Sequence, residues 1–249
     1  MKIALIGYGK MGKEVEDLIN QSGTHEVVSI SYKSPEDILD KDGIAKADVV
    51  IDFTSPEVVM ETIKEITGMG KNMVVGTTGW YDRIDQVKAI VEKSKTGLIY
   101  GSNFSVGANI FFQIVGFAGK LFSKFGDYDV AGFEIHHRGK KDSPSGTAKK
   151  IAQVIMENFP AKKKLETGKI DRQIEKDELH FASLRAGRNF GYHEVIFDSI
   201  ADEVKLSHNA HGRRGFAQGA IAAAEFIKDK KGFYSFDEVM SEASHPERS

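Results

Sequence analysis

A chain of 249 residues, 41% of them apolar and 28% charged, is long enough for one large or two modest domains with real cores. Its formal net charge of -2 argues against a general nucleic-acid binder, and the lack of cysteine excludes a disulfide framework, a thiolate nucleophile and a Cys-based metal site. The start "MKIALIGYG" reads as a strand and a glycine turn rather than a signal peptide, and no apolar run approaches the roughly 18 residues of a membrane span, so no membrane partner and a cytosolic location are expected.

In chain order, "KIALIG" (2–7) is a buried-strand run, "KEVEDLIN" (13–20) has helical spacing and "HEVVSIS" (25–31) is a second strand, which together make a βαβ unit. The alternation continues through "ADVVIDFTS" (47–55), a helix opened by Pro56, strand "NMVVGTTG" (72–79), helix "RIDQVKAIVEKS" (83–94) and strand "GLIYGSNFS" (97–105). Strands separated by helices of this length imply right-handed crossovers and a parallel sheet covered on both faces.

After Phe104 the pattern changes. A long apolar helix (108–125) leads to strand "YDVAGFEIHH" (128–137) and to a helix from about Thr147 to Phe159, followed by a lysine-rich linker (161–169). Three β-like runs, 179–186, 192–200 and 202–210, are separated by Gly-rich or acidic turns and need no crossover helices, which predicts a mixed or antiparallel sheet. An Ala-rich helix (216–230) closes the pattern and is expected to pack back on the first domain. The expected fold is α/β, with a Rossmann-type parallel-sheet domain (1–104 plus about 215–249) and a second α+β domain (105–214) carrying an open mixed sheet.

The turn "GYGKMG", with Gly7, Gly9 and Gly12 around Tyr8, Lys10 and Met11, fits G-x-G-x-x-G between a strand and an amphipathic helix. There the glycines permit a tight turn and close approach of a pyrophosphate, and the helix start supplies N–H donors; the alternative is a glycine turn without a ligand. At the end of the second strand Tyr32 and Lys33 stand where an NAD-type site has a carboxylate, which leans toward NADPH unless Lys33 is a solvated loop lysine. "GTTG" (Gly76, Thr77, Thr78, Gly79) and "GSNFSVG" (Gly101 to Gly107, with Ser102, Asn103 and Phe104) fall at carboxyl ends of parallel strands, where a cofactor ring binds and Phe104 is expected to pack on it, although hydroxyl residues also serve there as ordinary caps.

The stretch "EIHHRGKKDSPSGTA" (134–148) carries the most chemistry. Ser145, Gly146 and Thr147 stand where a helix begins, so their N–H groups and hydroxyls suit a carboxylate or phosphate, and Lys140 adds charge. Because the basic cluster is local in a nearly neutral chain, its partner is expected to be small. A histidine that exchanges a proton near neutral pH, beside a lysine ammonium, suits reduction of an unsaturated acid; the alternative is a surface or sheet-edge histidine pair. The spacing offers zinc no further ligands, so no metal is expected.

These residues, with "IGYGKMG", "VIDFTSPE", "VVGTTG", "SNFSVGAN", "SLRAGRNFGYHEVIF", "FAQGAIAAAEF" and "GFYSFDEVM" in the same order, resemble the dihydrodipicolinate reductase family over nearly the whole chain. The resemblance implies hydride transfer from NADPH or NADH to a small cyclic dicarboxylate, 4-hydroxy-tetrahydrodipicolinate or dihydrodipicolinate, giving tetrahydrodipicolinate in the diaminopimelate route to lysine. It implies His136 as proton donor or acceptor, Lys140 as the catalytic acid, and His137, Gly146 and Thr147 as substrate-holding positions. Gly7 to Met11 match the pyrophosphate loop, and Gly76 to Thr78 with Ser102 to Phe104 the nicotinamide side. A homotetramer built on the open sheet is also implied. Gly139, Asn209 and Gly212 depart from the family's usual residues, while Arg213 keeps its place. The competing readings are another two-domain NAD(P)-dependent amino-acid dehydrogenase and a dinucleotide-sensing module without turnover.

Overall fold

The structure is a computed structural model and describes residues 1–31 and 38–243. In chain order the first elements are β1 (Lys2–Ile6), α1 (Lys10–Ser22), β2 (Glu26–Ser31), α2 (Lys41–Lys46), β3 (Val49–Asp52), α3 (Val59–Gly68), β4 (Asn72–Val75), α4 (Ile84–Ser94) and β5 (Gly97–Tyr100). Then come α5 (Val106–Phe122), β6 (Asp129–His136), α6 (Gly146–Asn158), β7 (Lys164–Glu166), β8 (Glu178–Arg185), β9 (Tyr192–Asp198) and β10 (Glu203–Asn209). The chain closes with α7 (Arg214–Ile227), β11 (Gly232–Ser235) and α8 (Phe236–Ala243). It divides into two compact units, one of residues up to Val106 and from Arg213, the other Gly107–Gly212.

In the first unit six strands lie in the order β11-β5-β4-β3-β1-β2, every neighbouring pair parallel. The central strands are apolar on both faces because helices cover both. Ile3, Leu5, Val49 and Ile51 pack with α1 and α7, while Ala4, Ile6 and Val50 pack with α2 and α3. The alanines of α7 let that helix lie close, and a Cβ on Gly219 would stand 1.7 Å from the Phe104 carbonyl oxygen. Each fully buried aliphatic side chain contributes about 1.5–3 kcal/mol.

In the second unit the strand order is β10-β9-β6-β8-β7. Strands β6, β8 and β7 run parallel, and β9 is antiparallel to both β6 and β10, so the sheet is mixed. Only β9 and β10 form the simple hairpin that the sequence suggests. Strand β6 lies between β8 and β9, so β8 is reached by a crossover containing α6, and three residues of the lysine-rich linker become β7. Two further elements, β11 and α8, lie beyond the predicted closing helix, which ends at Ile227 rather than 230.

The face of β6 that meets α5 and α6 changes character along the strand. Val130 and Gly132 lie in the apolar core with Phe181, Val195 and Phe197, whereas Glu134 and His136 follow on the same face two and four residues later. The opposite face carries Ala131, Phe133 and Ile135. The apolar core thus ends, along this strand face, in a buried carboxylate and a buried imidazole.

Candidate active site

The glycine loop of the first unit is built for close approach. Gly7 has φ +85°, its N–H donates to the Ser31 carbonyl at 2.9 Å, and a Cβ there would lie 2.4 Å from the Phe53 carbonyl oxygen. A Cβ on Gly12 would lie 2.5 Å from the Gly7 carbonyl oxygen, so this glycine lets α1 start against the loop. Gly9 caps α1 with no side chain and has open space around it, while Lys10 and Met11 form the first turn. Tyr8 is hydrogen-bonded through its hydroxyl to Glu16 and has the Lys13 ammonium 5.6 Å from its ring centre. Sheet order reverses at β1, with β2 on one side and β3 on the other, which is the switch point where open α/β sheets hold ligands. The bare 13-residue helix start fits a dinucleotide pyrophosphate.

The neighbouring loops are held by a residue that motif reading missed. Asp52 is fully buried at the end of β3 and accepts from the Thr77 hydroxyl at 2.6 Å, the Thr54 hydroxyl at 3.0 Å and the Thr54 N–H at 3.3 Å. It therefore ties the loop after β3 to the one after β4. Thr77 is buried, Thr78 is exposed, and Gly76 is packed so closely that a Cβ would meet the Phe53 ring at 2.1 Å. Gly101 and Phe104 are buried, Ser102 is exposed, and the Asn103 side chain accepts from the Ser105 N–H at 2.8 Å. The Phe104 ring packs on Phe53 and Phe236 in the core, which leaves it no face for a cofactor. Tyr32 and Lys33 lie outside the described residues.

In the second unit, Glu134 is the centre of a buried polar cluster. One carboxylate oxygen, Oε1, accepts from the Ser145 N–H at 3.0 Å, the Ser183 hydroxyl at 2.9 Å and the Arg185 guanidinium at 2.9 Å. The other, Oε2, lies 3.2 Å from His136 Nδ1 and 3.5 Å from His193 Nε2. Glu134, His136 and His193 form the one group of described residues with metal-ligand chemistry at close range, but Arg185 already offsets the carboxylate charge.

The strand pairing explains the convergence. Glu134 pairs with Ser183 on β8 and His193 on β9, and His136 pairs with Arg185. Arg185 also donates to the Asp142 carbonyl at 2.7 Å, the His137 N–H donates to the Asn189 carbonyl at 2.7 Å, and the Lys140 ammonium lies 2.9 Å from the Asp142 carboxylate. Ser145 is buried and caps α6, its hydroxyl accepting from the Ala148 N–H at 3.1 Å. Both of its polar groups thus serve the fold, while Gly146 is exposed and Thr147 half-buried at the helix start.

Burial pushes the His136 imidazole down to about 4, with His193, Lys140 and Arg185 adding to the effect and the Glu134 charge opposing it. His136 is therefore neutral at pH 7. Burial alone raises the Glu134 carboxyl, but hydrogen bonds from His193, Ser145 and Arg185 outweigh it and hold the group well below the usual carboxylate range. Glu134, Arg185 and His193 were absent from the residues singled out by motif. The period-2 spacing Glu134-x-His136 was the available signal that the first of these shares a face with the imidazole.

Comparison with known proteins agrees on both halves of the chain. The pattern described as dihydrodipicolinate reductase, N-terminus, matches residues 1–104, and the one for its C-terminus matches residues 107–240. A protein of Christiangramia forsetii named 4-hydroxy-tetrahydrodipicolinate reductase is 37% identical over 97% of this chain and 98% of its own length. A Methanosarcina acetivorans protein of the same name is 36% identical over 96% and 88%. A dipicolinate-bound dihydrodipicolinate reductase from a Paenisporosarcina species shares the fold, with a TM-score of 0.78 at 24% identity over 96% of this chain and 99% of that one. An amine dehydrogenase from Mycobacterium smegmatis shares it more loosely, with a TM-score of 0.59 at 9% identity over 95% of each chain. That likeness is one of fold alone, and it is the paired family patterns and the near-full-length relatives that decide: this chain belongs to the dihydrodipicolinate reductase family.

Proposed function

We propose that His136 and Lys140 manage the proton in the family's reaction, with the substrate carboxylates held at the start of α6. The chain is an NAD(P)H-dependent oxidoreductase that reduces 4-hydroxy-tetrahydrodipicolinate, or dihydrodipicolinate, to tetrahydrodipicolinate in the diaminopimelate route to lysine. The observation that carries the assignment of residues is the neutral, buried His136 beside a lysine ammonium, at the end of an otherwise apolar strand face. Bound NAD(P)H supplies the hydride. The protein must then provide a proton and offset the charge of a dicarboxylate.

Lys140 is suited to the proton and part of the charge, since it is half-buried and tethered by Asp142 rather than free in solvent. His136, uncharged at neutral pH, accepts a hydrogen bond or a proton. The Gly146 and Thr147 N–H groups at the positive end of α6 suit one substrate carboxylate, with His137 beside them on the loop that Asn189 anchors. Ser145 contributes by shaping that helix start. On the first unit the Gly7–Gly12 turn suits the pyrophosphate, and the backbone of Gly76–Thr78 and Gly101–Phe104 the nicotinamide side.

The domain roles follow the same division, with dinucleotide binding in the first unit and substrate binding and self-association in the second. The outward face of the second sheet supports a homotetramer, since Phe133, Ile135, Ile196 and the half-exposed Leu184 form an apolar surface. A cytoplasmic location fits a biosynthetic reductase, and no helix among the described residues is long and apolar enough to cross a membrane.

Single replacements test the catalytic assignment. His136→Asn and Lys140→Ala should each lower kcat by about 10²- to 10⁴-fold while leaving NADPH affinity, read by its fluorescence on binding, near the parent value. Near-normal turnover in both variants would remove these residues from the chemistry.

A further inference from the structure

We propose that Glu134 is a positioning residue that selects the tautomer of His136, holding the proton on Nδ1 so that Nε2 is presented as the acceptor on the side that Gly191 leaves open. The inference rests on the reading of His136 as a proton-handling group, and it gives a role to Glu134, which opens the 134–148 stretch but to which the sequence assigns none. Three observations support it.

The first is the division of labour between the two carboxylate oxygens. Oε1 takes three donors, the Ser145 N–H, the Ser183 hydroxyl and the Arg185 guanidinium. Oε2 takes no backbone or hydroxyl donor and faces two imidazole nitrogens, His136 Nδ1 at 3.2 Å and His193 Nε2 at 3.5 Å. An ionised oxygen repels a ring nitrogen's lone pair and attracts its N–H, so His136 Nδ1 carries its proton toward Oε2, whereas His193 Nε2 also has the Ser145 hydroxyl at 3.3 Å. In a neutral ring that leaves His136 Nε2 bare.

The second observation is what stands at Nε2. Gly191 has φ +153°, and a Cβ built on it would lie 2.9 Å from His136 Nε2. The backbone is bare where the ring's acceptor atom emerges. Its N–H is turned away and donates to the Asn189 side chain at 2.9 Å.

The third is the set of charges around the ring. Burial is the main force against the imidazolium, Glu134 on β6 favours it, and His193 on β9, Lys140 on the following loop and Arg185 on β8 add to the effect of burial. The ring is therefore held neutral, the state in which the choice of tautomer decides whether Nε2 accepts or donates.

Glu134→Gln separates shape from charge with a defined result. The side-chain oxygen must take the Oε1 position to satisfy three donors, which places the amide nitrogen at the Oε2 position. That nitrogen donates to His136 Nδ1, the ring proton moves to Nε2, and the acceptor becomes a donor. The experiment is nitrogen-15 NMR of the full chain with labelled histidine, the His136 signals being identified by their loss in His136→Asn. Wild type at neutral pH should show a protonated Nδ1 and a bare Nε2, and Glu134→Gln the reverse, with kcat lowered about 10²-fold or more and NADPH affinity kept. Glu134→Asp, which keeps the charge, should restore the wild-type tautomer in part.

A wild-type His136 protonated on Nε2 would overturn the proposal without needing any variant to fold. So would a Glu134→Gln protein that keeps its Nδ1 proton while losing only stability. If instead His136→Asn keeps full turnover while the tautomer behaves as described, the reading of His136 as proton handler fails and the positional role of Glu134 stands.

Discussion

Gly191→Ala puts a single methyl group against His136 Nε2, the atom proposed above as the acceptor. The added Cβ would lie 2.9 Å from His136 Nε2, whereas carbon and nitrogen rest comfortably at about 3.5 Å, so the ring has to retreat by roughly half an ångström. It cannot do so freely, because Oε2 of Glu134 stands 3.2 Å from the other ring nitrogen. Misplacing a reacting group by about 1 Å costs on the order of 10²-fold in rate, so a kcat lower by about 10- to 10²-fold is expected. The substitution also places alanine at positive φ, which costs about 1–2 kcal/mol of stability. Gly187→Ala separates the two effects, since Gly187 lies on the same β8–β9 connection at φ +55° with nothing within 4 Å of its Cβ position. It should lose about 2–4 °C of Tm for each kcal/mol of backbone cost and keep its kcat. Turnover with NADPH and thermal melts on both variants decide the matter. Equal kcat values in the two would show that the space at Gly191 is not what presents His136.

Thr147→Val should weaken binding of pyridine-2,6-dicarboxylate, a planar substrate mimic, by several-fold in calorimetry, because a polar group at the positive end of α6 is lost; unchanged affinity would remove Thr147 from the site. Stability should fall as pH drops from about 6.5 toward 4, since the unfolded His136 ring takes a proton below its ordinary value while the folded ring resists it until about 4. His208, whose value burial also lowers, contributes in the same range, so His136→Asn should reduce the slope of Tm against pH there without abolishing it, and an unaltered slope would contradict the buried neutral ring. From about 4.5 downward the depressed Glu134 carboxyl adds a further loss, since the unfolded side chain takes up a proton that the folded one resists. Asp52→Ala leaves the Thr54 and Thr77 hydroxyls without their shared buried acceptor and should cost about 2–3 kcal/mol in urea unfolding; a loss under about half a kcal/mol would mean that the two loops find other anchors.

What the sequence made legible follows the range of the forces involved. The parallel sheet could be read because its strands, covered on both faces, are unbroken apolar runs such as Ile3–Ile6 and Val49–Ile51, and because a glycine turn followed by an amphipathic helix is a local signal. The pairing in the second sheet could not, since β8 and β9 are neighbours in sequence and separated in space by β6, and only long-range contacts decide that. The polar cluster divides in the same way. His136, Lys140 and the Ser145–Thr147 turn stand close together in the chain, whereas Arg185 and His193 reach Glu134 only through strand register. Ser145 and Phe104 show the converse limit. Their residue types suit ligand contacts, yet one satisfies a helix cap and the Glu134 carboxylate and the other fills the core, and burial is a tertiary property that a local motif does not carry.

The measurement closest to the central claim is oxidation of NADPH by the purified protein, followed by absorbance, with freshly generated dihydrodipicolinate and, separately, with oxaloacetate plus ammonia or aspartate semialdehyde. The account predicts rapid oxidation with the cyclic dicarboxylate, inhibition by pyridine-2,6-dicarboxylate and no turnover with the open-chain compounds. Oxidation that proceeds with an open-chain compound and not with the cyclic one would contradict it.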